Sequence, residues 1–560
     1  MYTKLKLHTR KIFVTEFDLF FKKCSTLPIF LVIRTLSLSI DIFRRVPARE
    51  PARKILLLFA SLLGCVFGFC FTSYIAGFTV RLLLSALAFL GLLKCIHTSH
   101  RVKTALLCGL TFGTAYWVVA FFDLYPAFSL TCQEYLFPVC LLLLSLGLGL
   151  FIAIPCLFAG LIRSKTLRLV SLSLLIAVFE FFRAELFPQL PLNVIPSLFC
   201  LDDSTIGLRI AQFVNLTNIY TLTFVWLLIL TCLFLRTVYT TSFATCAALF
   251  LLWNGGRAFN EFDVERPSGF SEIDVALIQP NIQQSRKLKA SQRTPIFLEV
   301  LATLADAQKQ YKVWREKEDN SAPEAEQSGG NSPIAKVSDR DRPNGSEKTN
   351  YLDFVVLPET VVPGLIYADS EEVRQIQNCI QGENTIVIFG ADRIKQTKPT
   401  IEWSNSMFIL SKDGIIDVYD KTRLLPFGEY APLRGLLRAI FRYSASKVDC
   451  SAGVERNVSA GGICFVPRIC SESFFKCANK DGKAKLIIQI LNDGWFASSI
   501  KEQHYAIDRL RVIEARLPMI RVSNDGCTSV FDKFGHAVIR VPERLQINKF
   551  VRIRIEKTAA

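Results

Sequence analysis

Long apolar runs fill the first half of the chain, and short apolar runs fill the second half. Residues 55–254 are dense in Leu, Phe, Ala, Val and Ile, in runs close to the ~20 residues that a membrane-spanning helix needs. The pattern predicts about seven spans, at roughly 55–71, 76–94, 104–122, 136–162, 168–187, 218–235 and 239–254. Residues 27–43 are apolar too, but they carry Arg34 and Asp41, so this segment is predicted to be interfacial or amphipathic.

From residue 255 the pattern changes to short β-rich runs that are separated by polar turns. The predicted strands are 274–280, 352–360, 384–391, 406–414, 485–493, 518–526 and 528–535. Helical patterns at 291–315, 370–382 and 498–516 lie between several of them. Alternating strands and helices predict an α/β layered domain over 255–545.

Two segments of this second half are predicted to lie outside its core. Residues 316–350 have almost no apolar side chains and are rich in Glu, Ser, Asn, Pro and Gly, which predicts a disordered insertion. Residues 546–560 are too polar to span a membrane and are predicted to be a C-terminal tail.

The positive charges predict how the chain is oriented. Residues 1–54 are basic, and Lys and Arg recur after the second and fourth predicted spans, whereas the alternate loops are acidic or neutral. The positive-inside rule therefore predicts a cytoplasmic N-terminal segment, 1–54, and seven crossings then place residues 255–545 outside the cytoplasm. This bias also explains much of the net charge of +16, with attraction to anionic lipid headgroups as the alternative.

Two classes of partner find no support in the composition. No basic stripe interleaved with aromatic residues is present, so a nucleic-acid partner is not predicted. The seventeen Cys show no paired metal-ligand spacing, and the chain has only five His, so a zinc site is not predicted either.

Chemically capable residues follow several of the predicted strands. Glu359 follows the Pro that ends the apolar run in "DFVVLPET", Lys421 and Glu429 lie in the loop-like string "YDKTRLLPFGEY", and Cys470 follows a short apolar run. A thiol needs a base to take its proton, and the negative oxygen of a tetrahedral intermediate needs a positive donor. A carboxylate, a lysine and a thiol could supply these functions, although Cys464 is a rival nucleophile of equal chemical standing.

The order of the strings adds a resemblance. The strings are "VVLPET", "YDKTRLLPFGEYAPL", "RICSESFF", "LNDGWF" and "QHYAIDRLRVIEARLPMIRVSNDGCTSVFDKFG". In this order they resemble the successive motifs of the carbon–nitrogen hydrolase (nitrilase) superfamily. With several spans in front, the chain resembles the apolipoprotein N-acyltransferases of bacterial inner membranes over about 55–540. The family commonly has Trp where this chain has Leu357, and Tyr where it has Ser471.

The resemblance implies a fold and a set of roles. The fold is a multi-span α-helical membrane domain followed by a nitrilase-like αββα sandwich. Glu359 would be the base, Lys421 the oxyanion donor and Cys470 the nucleophile. Assisting or substrate-binding positions would be Glu429, Glu472, Asn492 and Trp495.

The implied reaction moves an acyl chain from a membrane phospholipid to a cysteine thioester. The acyl chain then passes to the α-amino group of the N-terminal diacylglyceryl-cysteine of an apolipoprotein. No metal or diffusible cofactor is required, and the implied location is the bacterial inner membrane, with multiple spans and a periplasmic catalytic domain. Two alternatives remain at this point: a membrane-anchored amidase or nitrilase, and a transporter or non-catalytic membrane scaffold.

Overall fold

A computed structural model describes most of the chain from Glu50 to Glu556. The residues outside the description are 1–49, 73, 76, 100, 132–133, 188, 265–269, 322–350, 397–400, 427, 431–448, 478, 480 and 557–560. The predicted interfacial segment 27–43 and nearly all of the predicted basic segment 1–54 therefore lie outside the described residues. The chain divides into two compact units, one holding the helical region to Gly255 with Ala497–Ala506, and the other holding the remainder.

Seven long helices among the described residues coincide with the seven predicted spans. They are α1 (Glu50–Phe69), α2 (Phe78–Thr98), α3 (Val102–Ala120), α4 (Phe137–Leu161), α5 (Lys165–Phe181), α6 (Ile219–Leu235) and α7 (Val238–Val264). Three helical segments of the described chain are long and apolar enough to cross a membrane, namely Phe78–Thr98, Val102–Ala120 and Glu134–Leu161. Helix α6 is apolar but shorter. The number of crossings stays a prediction.

Small residues let two of these helices approach closely. A Cβ atom added at Gly113 of α3 would lie 2.8 Å from the Cα atom of Gly149 in α4. Lipid tails are as apolar as Leu, so helices in a membrane associate mainly through such close backbone packing. A larger side chain at either position would separate the two helices.

Two sheets form the centre of the second unit. The strands are β1 (Phe270–Gln279), β2 (Phe354–Val356), β3 (Val362–Ile366), β4 (Ile386–Gln396), β5 (Glu402–Ser411), β6 (Gly414–Asp420), β7 (Val458–Ala460), β8 (Ile463–Ile469), β9 (Leu486–Leu491), β10 (Met519–Ser523), β11 (Thr528–Phe531), β12 (Ala537–Val541) and β13 (Ile547–Glu556). Among the described residues, one sheet has the order β13-β1-β2-β4-β5-β6, with β3 paired to β4. The other has the order β12-β11-β10-β9-β8-β7.

Helices cover the outer faces of the two sheets. Apolar side chains from both sheets share one core, and a second core joins the first sheet to α8 (Arg293–Ser321) and α9 (Glu371–Asn378). Helix α10 (Ser498–Ala515) is tied to the second sheet because Asp508 accepts from Nε of Arg521 at 2.7 Å. These four layers confirm the predicted αββα sandwich.

Two predicted boundaries are wrong. The segment 546–560 was predicted to be a tail, but residues 547–556 form β13 and pair antiparallel with all ten residues of β1. Its string "INKFVRIRIE" alternates apolar and polar residues, so one face of the strand reaches the core. Helix α8 continues to Ser321, so residues 316–321 are helical, and Glu316, Lys317 and Glu318 among them are good helix formers. The rest of the predicted insertion, 322–350, lies outside the described residues.

Candidate active site

Three strand ends bring the predicted catalytic residues together. Glu359 follows β2, Lys421 directly follows β6, and Cys470 directly follows β8. The three residues are buried, with exposed fractions of 6%, 1% and 9% respectively. Cys470 lies beside the Glu359 carboxylate, and both groups lie close enough to Lys421 to influence its ionisation.

The string "YDKTRLLPFGEY" forms a loop that returns to Lys421. Nζ of Lys421 donates to Oε1 of Glu429 at 2.8 Å. The other oxygen of Glu429 accepts from the backbone N–H of Leu425 at 2.7 Å. Glu429 is therefore brought to the same cluster as the predicted triad.

Burial and neighbouring charge shift the pKa values of these groups. Burial raises the pKa of Glu359 above its ordinary value, and the nearby Lys421 ammonium offsets part of that effect. Burial opposes the charged form of Lys421, but Glu429, Cys470 and Glu359 together raise its pKa above the ordinary value. Burial and the Glu359 charge raise the pKa of Cys470. Burial thus disfavours the thiolate of Cys470, so the thiol needs a neighbouring base to take its proton, and Glu359 is in the position of that base.

The backbone of β4 fixes the position of Glu359. The N–H of Gly390 donates to the carbonyl of Pro358 at 3.1 Å, and the N–H of Val361 donates to the carbonyl of Gly390 at 2.9 Å. A Cβ atom at Gly390 would lie only 2.6 Å from the Cα atom of Glu359. Only glycine allows this approach, so the segment that carries the base is held on both sides.

Cys470 occupies a strained backbone position at the turn from β8 into a short 3-10 helix. Its φ angle is +50°, in the left-handed region that residues other than glycine seldom adopt. A nucleophile at such a strand-to-helix turn projects its side chain away from the sheet. Strain of this kind persists only where the surrounding structure enforces it.

Glu472 joins the nucleophile turn to the lysine loop. One carboxylate oxygen accepts from the backbone N–H of Ile469 at 2.8 Å. The other accepts from the backbone N–H of Thr422 at 2.6 Å, from the Thr422 hydroxyl and from the Tyr419 hydroxyl. Its side chain is fully buried. These contacts hold Lys421 and Cys470 in a fixed relative position.

Asn492 and Trp495 follow β9. The Asn492 amide donates to Oε1 of Gln284 at 3.0 Å and lies 3.5 Å from the hydroxyl of Thr360, the residue after Glu359. Trp495 is half-buried at the end of the next 3-10 turn. In the described part of the chain no ring contact of Trp495 is seen, and its role stays a prediction.

Cys464 lies far from the cluster. It sits near the start of β8, where it faces Ser459 of β7 across the sheet. Cys470 lies six positions further along the chain, which corresponds to about 20 Å along the strand. The geometry therefore favours Cys470 over its rival.

Sequence reasoning missed Asn405, which contacts two of the candidate residues. Its side-chain Nδ2 lies 2.6 Å from Oε1 of Glu359 and 3.2 Å from Oε1 of Glu429. Its backbone carbonyl accepts from the N–H of Lys421 at 2.8 Å. The available signal was an Asn directly before the predicted strand 406–414, since Asn is depleted in strands.

Two further titratable groups near the cluster were also missed. Burial raises the pKa of Asp392 to about 7, and Glu359 and Glu429 add to the increase. Burial lowers the pKa of Lys287 to about 8, and the charge of Glu359 opposes this shift. The catalytic carboxylate therefore belongs to a wider set of interacting charges.

Comparison with known proteins finds similarity to carbon–nitrogen hydrolases and to apolipoprotein N-acyltransferases. Residues 274–543 match the family model described as carbon-nitrogen hydrolase. An apolipoprotein N-acyltransferase of Allorhizobium ampelinum is 26% identical over 465 residues, covering 80% of this chain and 79% of that protein. An apolipoprotein N-acyltransferase of Rickettsia bellii is 26% identical over 498 residues, covering 84% and 87% of the two chains.

Proposed function

We propose that this chain, which belongs to the carbon–nitrogen hydrolase superfamily and is related over most of its length to apolipoprotein N-acyltransferases, completes lipoprotein maturation in the same way. It moves an acyl chain from a membrane phospholipid to the α-amino group of the N-terminal diacylglyceryl-cysteine of an apolipoprotein. The product is a lipoprotein with a third, amide-linked acyl chain.

One observation carries this proposal. The similarity to the Allorhizobium protein extends over 465 residues, which is longer than the hydrolase segment 274–543. The match must therefore include much of the helical region as well. A hydrolase of small soluble amides has no need of that region, whereas an enzyme whose two substrates both carry lipid chains has a direct use for it.

In the first half-reaction Cys470 is acylated. Glu359 takes the proton of the thiol while the sulfur attacks the ester carbonyl of the phospholipid. Lys421 stabilises the negative oxygen of the tetrahedral intermediate through its ammonium group. The ester C–O bond then breaks, Glu359 returns the proton to the leaving alkoxide, and a lysophospholipid departs. Cys470 is left as a thioester.

In the second half-reaction the acyl chain moves to nitrogen. The α-amine of the diacylglyceryl-cysteine attacks the thioester, and Glu359 accepts the proton that the nitrogen loses. The C–S bond breaks, and that proton returns to the sulfur of Cys470. Glu429 is paired with Lys421 and assists at the acyl intermediate, while Glu472 and Asn492 keep the reacting groups in place. Trp495 is assigned to the acyl-chain site.

The test is the structure of lipoprotein N-termini in cells with and without this protein. Mass spectrometry of a lipoprotein purified from a host depleted of its own N-acyltransferase should show a mass gain of one acyl chain when this chain is expressed. The matched control is Cys470→Ala. Unchanged diacylated N-termini, together with hydrolysis of a small amide or nitrile by the same preparation, would favour the membrane-anchored hydrolase instead.

We further infer that the protein lies in the bacterial inner membrane, crosses it several times and holds its catalytic domain in the periplasm. Three helices long and apolar enough to cross a membrane support the membrane location. The distribution of Lys and Arg between alternate loops supports the orientation.

Reporter fusions test this orientation. A reporter fused to the C-terminus is expected to be active only in the periplasm, and one inserted in the loop between α2 and α3 only in the cytoplasm. The reason is the cluster of basic residues around that loop, Lys94, Arg101 and Lys103. The opposite pair of results would show that the orientation is reversed. Activity of both reporters in the same compartment would show that the number of crossings between the two fusion sites differs by one from the predicted number.

A further inference from the structure

One amide group serves two carboxylates at the candidate site. Asn405 lies in β5 and is 4% exposed. Its Nδ2 carries two hydrogens, and it lies 2.6 Å from Oε1 of Glu359 and 3.2 Å from Oε1 of Glu429. Both donors of the amide are thus used by carboxylates that the proposed mechanism places in different roles.

The orientation of this amide is set by the two carboxylates. Oδ1 of Asn405 is buried, and within the described ranges it has no hydrogen-bond partner. Rotation of the amide by 180° would point that oxygen at two carboxylates, which can only accept hydrogen bonds when ionised. The amide therefore donates two hydrogen bonds while its oxygen accepts none, and an unsatisfied acceptor is uncommon for a buried polar group.

The backbone of Asn405 is held by the same cluster. Its carbonyl accepts from the N–H of Lys421 at 2.8 Å, and its N–H donates to Sγ of Cys450 at 3.4 Å. The N–H of Cys450 in turn donates to the carbonyl of Glu429 at 2.9 Å. Asn405 is consequently fixed relative to Lys421 and Glu429, and it cannot move away from the carboxylates without breaking these contacts.

Charged and titratable groups surround this position on several elements. They are Glu359 after β2, Glu429 and Lys421 in the lysine loop, Asp392 on β4, Lys287 before α8, Cys450 before β7 and Cys470 after β8. Asp392 is the register partner of Asn405 in the adjacent strand. Glu429 raises the pKa of Glu359, whereas Lys421 and the hydrogen bond from Asn405 lower it. Asn405 thus acts against proton uptake by the base.

We propose that Asn405 is a positioning residue that keeps Glu359 ionised and aligned with Cys470, and thereby sets the lower limit of the pH range in which Cys470 is acylated. This assignment rests on the proposed function, because it takes Glu359 as the base of the acylation step. Asn405 touches neither substrate in this scheme, and acts only through the two glutamates.

The direction of the effect follows from the hydrogen bond. Without the amide donor, Glu359 holds its proton to a higher pH, so a smaller fraction of the protein has an ionised base at low pH. Acylation therefore falls on the acidic side and recovers as the pH rises. A hydrogen bond to a charged group is worth enough to move the midpoint by about one pH unit.

The experiment measures single-turnover thioester formation in the full-length protein. A phospholipid with a labelled acyl chain is the probe, and yields are followed from acid to mildly alkaline pH. Asn405→Ala removes the donor, and Asn405→Asp keeps the shape but adds a carboxylate. Ser404→Ala is the matched control, since the Ser404 hydroxyl donates to the carbonyl of Ser451 at 2.7 Å from the neighbouring position of the same strand.

The acidic midpoint is expected to move up by about one unit in Asn405→Ala and by more in Asn405→Asp, and to stay in place in Ser404→Ala. If Asn405→Ala does not fold, the isosteric Asn405→Asp carries the test. The proposal would be overturned if Asn405→Asp had the same acidic midpoint as the unmodified protein and lost the same fraction of thioester yield at every pH. Asn405 would then be a merely structural residue. Absence of thioester in the unmodified protein would instead overturn the proposed function.

Discussion

Cys470→Ala is expected to abolish thioester formation and lipoprotein acylation. The variant removes the sulfur that lies beside Glu359 and Lys421 in the buried cluster. Loss of a catalytic nucleophile lowers the rate by a factor on the order of 10⁶, which leaves no measurable transfer. The measurement is the amount of labelled acyl chain that stays bound to protein after denaturation and is released by neutral hydroxylamine.

Cys464→Ala is the control for this prediction. Cys464 is half-buried in β8, well away from the cluster, so its replacement should leave most of the thioester yield. Cys470→Ser tests the chemistry further, since a hydroxyl is a weaker nucleophile than a thiol. A thiol-reactive lipid analogue that labels Cys464 and spares Cys470 would contradict the assignment.

Lys421→Ala is expected to lower the rate of Cys470 acylation by about 10²–10³, the usual effect of losing one oxyanion donor. The ammonium of Lys421 is 1% exposed, so water does not weaken its field at the developing negative charge. Lys421→Arg is expected to fail as well, because a planar guanidinium does not fit the place of a compact ammonium. For both variants, the amount of thioester formed from labelled phospholipid is measured in reactions that are quenched at a series of times.

Glu359→Gln is the companion variant for the same step. The amide keeps the shape of the side chain but cannot take the thiol proton, and burial already raises the pKa of Cys470, so little thiolate forms without a base. Glu429→Ala should still permit some acylation while impairing turnover, because Glu429 contacts Lys421 and not the thiol. Normal thioester yield in both Glu359→Gln and Lys421→Ala would contradict the roles given to these residues.

The sequence predicted the layered fold because its strands and helices carry strong local patterns. Alternating or continuous apolar runs mark β1, β4, β5 and β9, and the structure has strands at all four. β13 was missed although it alternates, since its position at the end of the chain and its many charges suggested a tail. Its strand state depends on pairing with β1, more than 260 positions earlier, which no local pattern can show.

The candidate site was predictable only where a motif marked it. Glu359, Lys421 and Cys470 lie within recognisable strings, and the structure brings the three together. Asn405 has no such string, and its importance comes from a side chain that reaches two loops distant in sequence. The resemblance gave Glu472 a substrate-binding or assisting role, and the structure shows its carboxylate bonded to the loop of Lys421 and to the backbone before Cys470. A contact that joins separate loops becomes visible only once the fold is known.

A pulse–chase of the thioester tests the central claim most directly. The full-length protein is incubated with a phospholipid carrying a labelled acyl chain, freed of excess lipid, and then mixed with a diacylated lipopeptide that has a free N-terminal amine. The account predicts that the label first attaches to Cys470 and then moves to the α-amino group of the lipopeptide in equal amount. Label that never attaches to Cys470, or that leaves it only as free fatty acid in the presence of the lipopeptide, would contradict the account.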